Sequence, residues 1–267
     1  MNNTFGFIGT GNMGGALARA AAKALPAENI FLANRTAAKA QSLAEELGCH
    51  AVPAKEAAQC GYVFLGVKPQ MMQDLLADLA PVLSARQDSF VLVSMAAGLT
   101  VADIQAMAGK PYPVIRIMPN TPVAVGCGTV LYTASDNVTE DALAQFCQNM
   151  RYAGLLDRLP EKLMDAGTAV AGCGPAFACL FMEALADGGV ACGLPRDKAM
   201  LYAQQMLMGT AQLALTTGQH PGQLKDAVCS PGGSTIAGVQ ALEDSAFRAA
   251  AIQAVKASFQ RTKELGK

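Results

Sequence analysis

Phe5-Gly6-Phe7-Ile8-Gly9-Thr10-Gly11-Asn12-Met13-Gly14 is the stretch that decides the fold. An apolar run followed by glycines at 9, 11 and 14 reads as a strand, a tight turn and the first turn of a helix. Gly9 permits the turn, Gly11 lets a pyrophosphate approach the backbone, and Gly14 lets helix and strand pack. The N-terminus of the helix then faces the phosphates, with Ile8, Thr10, Asn12 and Met13 filling the motif. A glycine-rich turn needed only for packing is the alternative, and the placement inside a strand–helix–strand unit favours dinucleotide binding.

Outward from this motif, the end of the second strand carries Asn34-Arg35-Thr36. An acid there accepts hydrogen bonds from the ribose of NAD, whereas an arginine accommodates the 2′-phosphate of NADP. No carboxylate follows until Glu45, and a guanidinium grips phosphate bidentately. The reading favours NADPH and leaves NADH open as a second cofactor; the alternative for Arg35 is a solvated surface residue.

Short apolar runs alternate with helical segments through the first half. Strands are expected at residues 5–9, 30–33, 62–67, 90–95 and 114–118, with helices at 16–25, 37–47 and 71–83 and Gly48 ending the second helix. A stretch at 129–133 and a helix at 140–152 complete a domain of residues 1–159. The alternation implies an α/β domain, a doubly wound parallel sheet with helices on both faces. Its loops then add candidates at the carboxyl ends of strands. Val67-Lys68-Pro69 puts a lysine near the cofactor ribose or phosphate, unless Lys68 merely starts a helix. Ala96, Ala97 and Asn120 should line the nicotinamide end, Asn120 with both a donor and an acceptor.

After Pro160 strands vanish, and residues 160–267 read as an all-helical domain of four segments broken at Gly193-Leu194-Pro195, Thr217-Gly218 and Pro231-Gly232-Gly233. Apolar residues make up 52% of the chain and charged ones 15%, more apolar surface than one small globule hides. A large oligomeric interface is therefore expected, and the alanine, methionine and glycine of the helical half place it there. The most apolar run, 166–182, falls short of the ~20 residues that span a bilayer and contains Gly172, Gly174 and Pro175, so a buried helix is expected. Net charge is −1 with no basic run, which gives no footprint for nucleic acid or an anionic membrane. Eight cysteines without a Cys-x-x-Cys pair and two distant histidines offer no metal spacing. With no basic leader before Phe5, a reduced cytoplasmic protein is expected.

Ser230-Pro231-Gly232-Gly233-Ser234-Thr235-Ile236 is the sharpest feature of the second half. Two glycines before a helix start can present consecutive amides as an anion nest, reinforced by the helix dipole, and a small carboxylate would fit. Ser234 or Thr235 acting only as an N-cap is the alternative. Neither histidine lies in a motif, and no acidic pair presents itself as general acid and base. A protonated imine needs little such machinery, because it is already an electrophile. Holding it against the nicotinamide and relaying one proton, through a hydroxyl such as that of Thr235, is sufficient.

Taken together, Gly9–Gly14, Val67-Lys68-Pro69, Ala96-Ala97-Gly98, Pro119-Asn120-Thr121-Pro122, Gly172-Cys173-Gly174-Pro175-Ala176 and Ser230–Ile236 resemble pyrroline-5-carboxylate reductase, nearly end to end. The resemblance implies a Rossmann-type N-terminal domain, a helical C-terminal dimerisation domain that interleaves with its partner, and rings of dimers in many members. It implies hydride transfer from NADPH to the imine carbon of L-1-pyrroline-5-carboxylate, the last step of proline biosynthesis. Carried over by position, Ser230, Gly232, Gly233, Ser234 and Thr235 form the substrate site. The backbone at 233–235 holds the carboxylate, and the Thr235 hydroxyl, the one catalytic group, faces the imine nitrogen. Ala54 stands where members commonly have Asn, Cys173 where Ser is commoner, and Ala227 where some have Asn. A 3-hydroxyacid dehydrogenase also begins with this glycine motif, but it needs a lysine after its glycine-rich helix start, where this chain has Pro175-Ala176-Phe177-Ala178-Cys179. A non-catalytic NADP-sensing module is the third reading.

Overall fold

The computed structural model describes residues 2–265. Contacts divide the chain into two units, one of Met1–Cys173 with Ser258–Lys267 and one of Gly174–Ala257.

In the first unit, strands β1 (Phe5–Ile8), β2 (Ile30–Ala33), β3 (His50–Ala51), β4 (Tyr62–Leu65), β5 (Val91–Ser94), β6 (Val114–Pro119), β7 (Gly128–Ala134) and β8 (Gly154–Arg158) form one sheet in the order β3-β2-β1-β4-β5-β6-β7-β8. All neighbours are parallel except β6 and β7. Helices α1 (Asn12–Ala22), α2 (Ala37–Leu47), α3 (Ala54–Ala57), α4 (Met72–Ala85), α5 (Val101–Ala108), α6 (Glu140–Met150) and α7 (Met164–Gly167) connect and flank it. Both faces of the strands are covered, which is why they read as continuous apolar runs instead of alternating. Phe5 and Phe7 turn to one face, where Phe5 meets Tyr62 at 4.7 Å and Phe7 stacks on Phe64 at 4.2 Å between ring centroids. On the other face Val63, Leu65 and Leu92 pack against Leu76 and Leu79 of α4 and Ile104 of α5.

The parallel sheet flanked by helices is as expected, and details differ, among them the short helix α3 and the end of the first helix at Ala22. The first helix starts at Asn12, not Ala16, because Gly14 and Gly15 sit in its first turn, where they are tolerated. Strands β3 and β8 were not expected, being a two-residue edge and a strand with charged, exposed residues at its end. Helix α5 was also missed, although Thr100 accepts from Asp103 N at 3.1 Å while Asp103 accepts from Thr100 N at 2.8 Å, a reciprocal cap that the sequence spells as Thr-x-x-Asp.

The second unit contains α8 (Gly174–Ala191), α9 (Arg196–Thr217), α10 (Pro221–Ala227), α11 (Ser234–Asp244) and most of α12 (Phe247–Leu265). Five helices stand where four were expected, since Ala246 breaks the last segment with φ 56° and neither glycine nor proline announces it. Helices α8 and α9 approach closely: a Cβ on Gly189 would lie 3.1 Å from that of Ala199. Yet Ala186, Ala199 and Ala203 are the buried residues of this unit. The expected buried helix is therefore not buried within one chain. It also runs further than expected, as a continuous helical stretch Glu161–Ala191 long and apolar enough to cross a membrane by length and composition alone. Pro175 falls where the π-helical turn Thr168–Gly172 passes into α8, so the chain keeps its helical course although the proline has no N–H to give.

Candidate active site

The glycine turn works through its backbone. Gly9 has φ 104°, a conformation that side chains resist, and an added Cβ would come 2.3 Å from Gly66 O. A Cβ on Gly14 would come 2.1 Å from Gly9 O, so helix α1 sits directly on the turn. At Gly11 nothing lies within 4 Å, which leaves an open cradle where a Cβ would otherwise project. Gly11 is also the N-cap of α1 with no side chain capping it, so the first amides of the helix are free for an anion. These features fit a pyrophosphate.

A cleft of about 880 Å³ opens beside the turn, bordered by Ile8, Gly9 and Gly11, by Asn34, Arg35 and Thr36, and by Val67 and Lys68. These are sequence candidates brought together from the ends of β1, β2 and β4. Asn34 Oδ1 accepts from Thr10 N at 3.2 Å and its Nδ2 donates to Thr36 O at 3.1 Å, fastening the second loop to the glycine turn. Arg35 is exposed on the rim with Lys39, one turn further along α2. Lys68 stands at the N-cap of the short turn Pro69–Met71 ahead of α4 and lines the cleft. Acids on α4 form the opposite wall, where Asp78 is taken up by Lys55 at 3.0 Å.

Other candidates lie off this cleft. Asn12 and Gly14 open α1, and Met13 packs on the core, so these contribute backbone. Thr10 is buried with its hydroxyl lacking a partner among the described residues. Ala96 is 2% exposed with its methyl in the core, and Ala97 packs beside Met118, Leu131 and Met164. Asn120 is 9% exposed and makes one hydrogen bond from each end of its amide to backbone groups of this unit. Sequence reasoning missed Gly66, whose added Cβ would come 2.5 Å from Gly9 O, and Lys39. A second basic residue, in the first turn of the helix that follows Arg35, was the available signal; Gly66 had none.

In the second unit, Gly232 takes φ 67° and Gly233 N donates to Ser230 O at 3.0 Å, closing a turn before α11. A Cβ on Gly233 would come 2.4 Å from Ser230 Oγ, so a larger residue there would displace that hydroxyl. Gly233 is the N-cap and no side chain caps the helix. Ser234 and Thr235 occupy the first two helical positions, which rules out the simple capping role for both. The start of α11 thus combines a glycine turn, uncapped amides and the exposed Thr235.

A doubly wound sheet with a glycine-turn cleft and an adjoining helical domain is the build of an NAD(P)-dependent oxidoreductase. Residues 161–265 match the family described as pyrroline-5-carboxylate reductase dimerisation, and residues 4–98 match the family described as NADP oxidoreductase coenzyme F420-dependent. The chain is 42% identical to the pyrroline-5-carboxylate reductase of Synechocystis sp., with all of both chains covered. It is 40% identical to that of Glycine max, covering 98% of this chain and 96% of the other. A crystal structure of Plasmodium falciparum pyrroline carboxylate reductase with NADP bound superposes with a TM-score of 0.89 at 32% identity, covering 100% and 99%. The chain belongs to the pyrroline-5-carboxylate reductase family.

Proposed function

We propose that the chain reduces L-1-pyrroline-5-carboxylate to L-proline with NADPH, the last step of proline biosynthesis. The observation that carries this reading is the Ser230–Ile236 turn, whose uncapped amides at the start of α11 suit a small carboxylate. Bound NADPH supplies the hydride that adds to the carbon of the protonated imine. The amides at 233–235 fix the substrate carboxylate, with Ser230 and Gly232 shaping the turn, and the Thr235 hydroxyl hydrogen-bonds to the ring nitrogen and relays its proton. Arg35, with Lys39 beside it, grips the 2′-phosphate, which sets the preference for NADPH over NADH. Gly11, Asn12, Met13 and Gly14 give the pyrophosphate their amides, while Gly9 and Thr10, whose own amides go to Ala33 O and Asn34 Oδ1, hold the turn in shape.

The apolar helices of residues 161–265 pair with a second copy, and dimers assemble further into rings. The same pairing covers the helix that is long enough for a membrane, so the protein works in the cytoplasm without nucleic-acid or membrane partners. NADPH oxidation with pyrroline-5-carboxylate, with NADH in parallel, tests the reaction. Turnover supports the reductase reading. NADPH binding without turnover would favour the sensor module, and oxidation of a 3-hydroxyacid would favour the dehydrogenase.

A further inference from the structure

We propose that Asn120 is a positioning residue whose side chain replaces a backbone donor that Pro175 removes from the helix. In an α-helix the carbonyl of residue 171 accepts from the N–H of residue 175. Proline has no N–H to give. The orphaned Ala171 carbonyl instead accepts from Asn120 Nδ2 at 3.0 Å. At the other end of the same amide, Oδ1 accepts from Thr129 N at 2.8 Å. One buried side chain thereby joins the end of β6, the start of β7 and the helical turn Thr168–Gly172.

That turn is itself irregular. Cys173 N donates to Thr168 O at 3.0 Å, five residues back, so the segment is π-helical, a geometry found often at functional places. It runs beside the end of β6: a Cβ on Gly172 would lie 3.2 Å from Thr168 Cγ2 and 4.0 Å from Met118 Cγ. The carboxyl ends of such strands border the ligand crevice in doubly wound sheets. Asn120 therefore shapes that border by holding two backbone segments together, without touching cofactor or substrate. The motifs Met118-Pro119-Asn120 and Gly174-Pro175 are two halves of one device, an orphaned carbonyl and its donor.

The consequence for turnover rests on the reductase reading above; the pairing itself does not. The test is a double-mutant cycle with Asn120→Ala and Pro175→Ala, read by kcat, by KM, by NADPH affinity in a binding titration and by thermal unfolding. Asn120→Ala should lower kcat on the order of tenfold and lower the unfolding temperature, with NADPH affinity within about twofold. Pro175→Ala restores a backbone N–H to Ala171 O but no acceptor to Thr129 N, so the double variant should regain part of the kcat and unfolding temperature lost, beyond what Pro175→Ala gains alone. If Asn120→Ala does not accumulate as folded protein, recovery of folded protein in the double variant is the same result. Equal loss in single and double variants overturns the proposal. So does a drop in NADPH affinity matching the drop in kcat, which would make Asn120 a cofactor ligand. Failure of the wild type to reduce the imine, with recovery of stability intact, would sink the reductase reading and leave the pairing standing.

Discussion

The nucleotide-binding unit and the helical unit solve the problem of burial in opposite ways. The first closes its core inside one chain: Phe5, Phe7, Tyr62 and Phe64 are fully enclosed between the sheet and its helices. The second keeps Ala186, Ala199 and Ala203 as its buried residues and presents Leu180, Met208, Leu213 and Leu215 outward. Exposed large apolar side chains in such number are a mark of an interaction surface. A unit that can fold on its own is suited to hold a cofactor by fixed backbone. A unit that needs a second copy ties whatever chemistry it carries to assembly.

The contrast can be broken most directly at the chemistry assigned to the helical unit. Thr235→Val should lower kcat by about 10²-fold or more while NADPH affinity stays near wild type, as expected for a lost proton relay. Unchanged kcat in steady-state assays would remove that role. Next in size is Leu180→Glu, at a side chain 68% exposed within one chain. A truly solvated position would tolerate it within about 0.5 kcal/mol. If a partner copy covers it, sedimentation equilibrium should show the dimer dissociation constant rising by about 30-fold or more.

In the other unit the expected effects are smaller and fall on binding. Gly14→Ala forces a methyl toward Gly9 O, a contact of 2.1 Å for an unrelaxed backbone. Denaturant titration should register a loss of about 1–3 kcal/mol, and NADPH and NADH should weaken alike. Arg35→Glu should weaken NADPH about tenfold more than NADH, leaving stability unchanged. Equal weakening of both, measured by fluorescence titration, would detach Arg35 from the 2′-phosphate.

Where sequence was sufficient, the determinant was local. The glycines at 9, 11 and 14 fix a turn by themselves, and Gly48 adopts φ 67° at the end of α2 as its position implied. Strand β8 escaped notice because its pairing with β7 is set by a partner strand and not by its own composition. Arg116 reads as an interruption of an apolar strand, yet it is buried with Asp165 at 3.0 Å and Glu161 at 3.3 Å. No neighbour in sequence reveals those partners. Gly66 is required only because the end of β4 passes against Gly9, a fact of sheet order. Asn120 was expected at the nicotinamide end on the strength of its hydrogen-bonding capacity; its bonds to Ala171 O and Thr129 N depend on distant segments that the sequence does not bring together.

Cβ atoms on Gly14 and Gly66 would both meet the Gly9 carbonyl, and one on Gly9 would meet that of Gly66, so these three positions of the turn accept no side chain. Retuning coenzyme choice, for example to run the enzyme in an NADH-fed bioreactor, must therefore be done on the rim, at Arg35, Thr36 and Lys39. Libraries directed at these three glycines would return misfolded protein, while libraries on the rim would sample new coenzyme preferences on an intact scaffold.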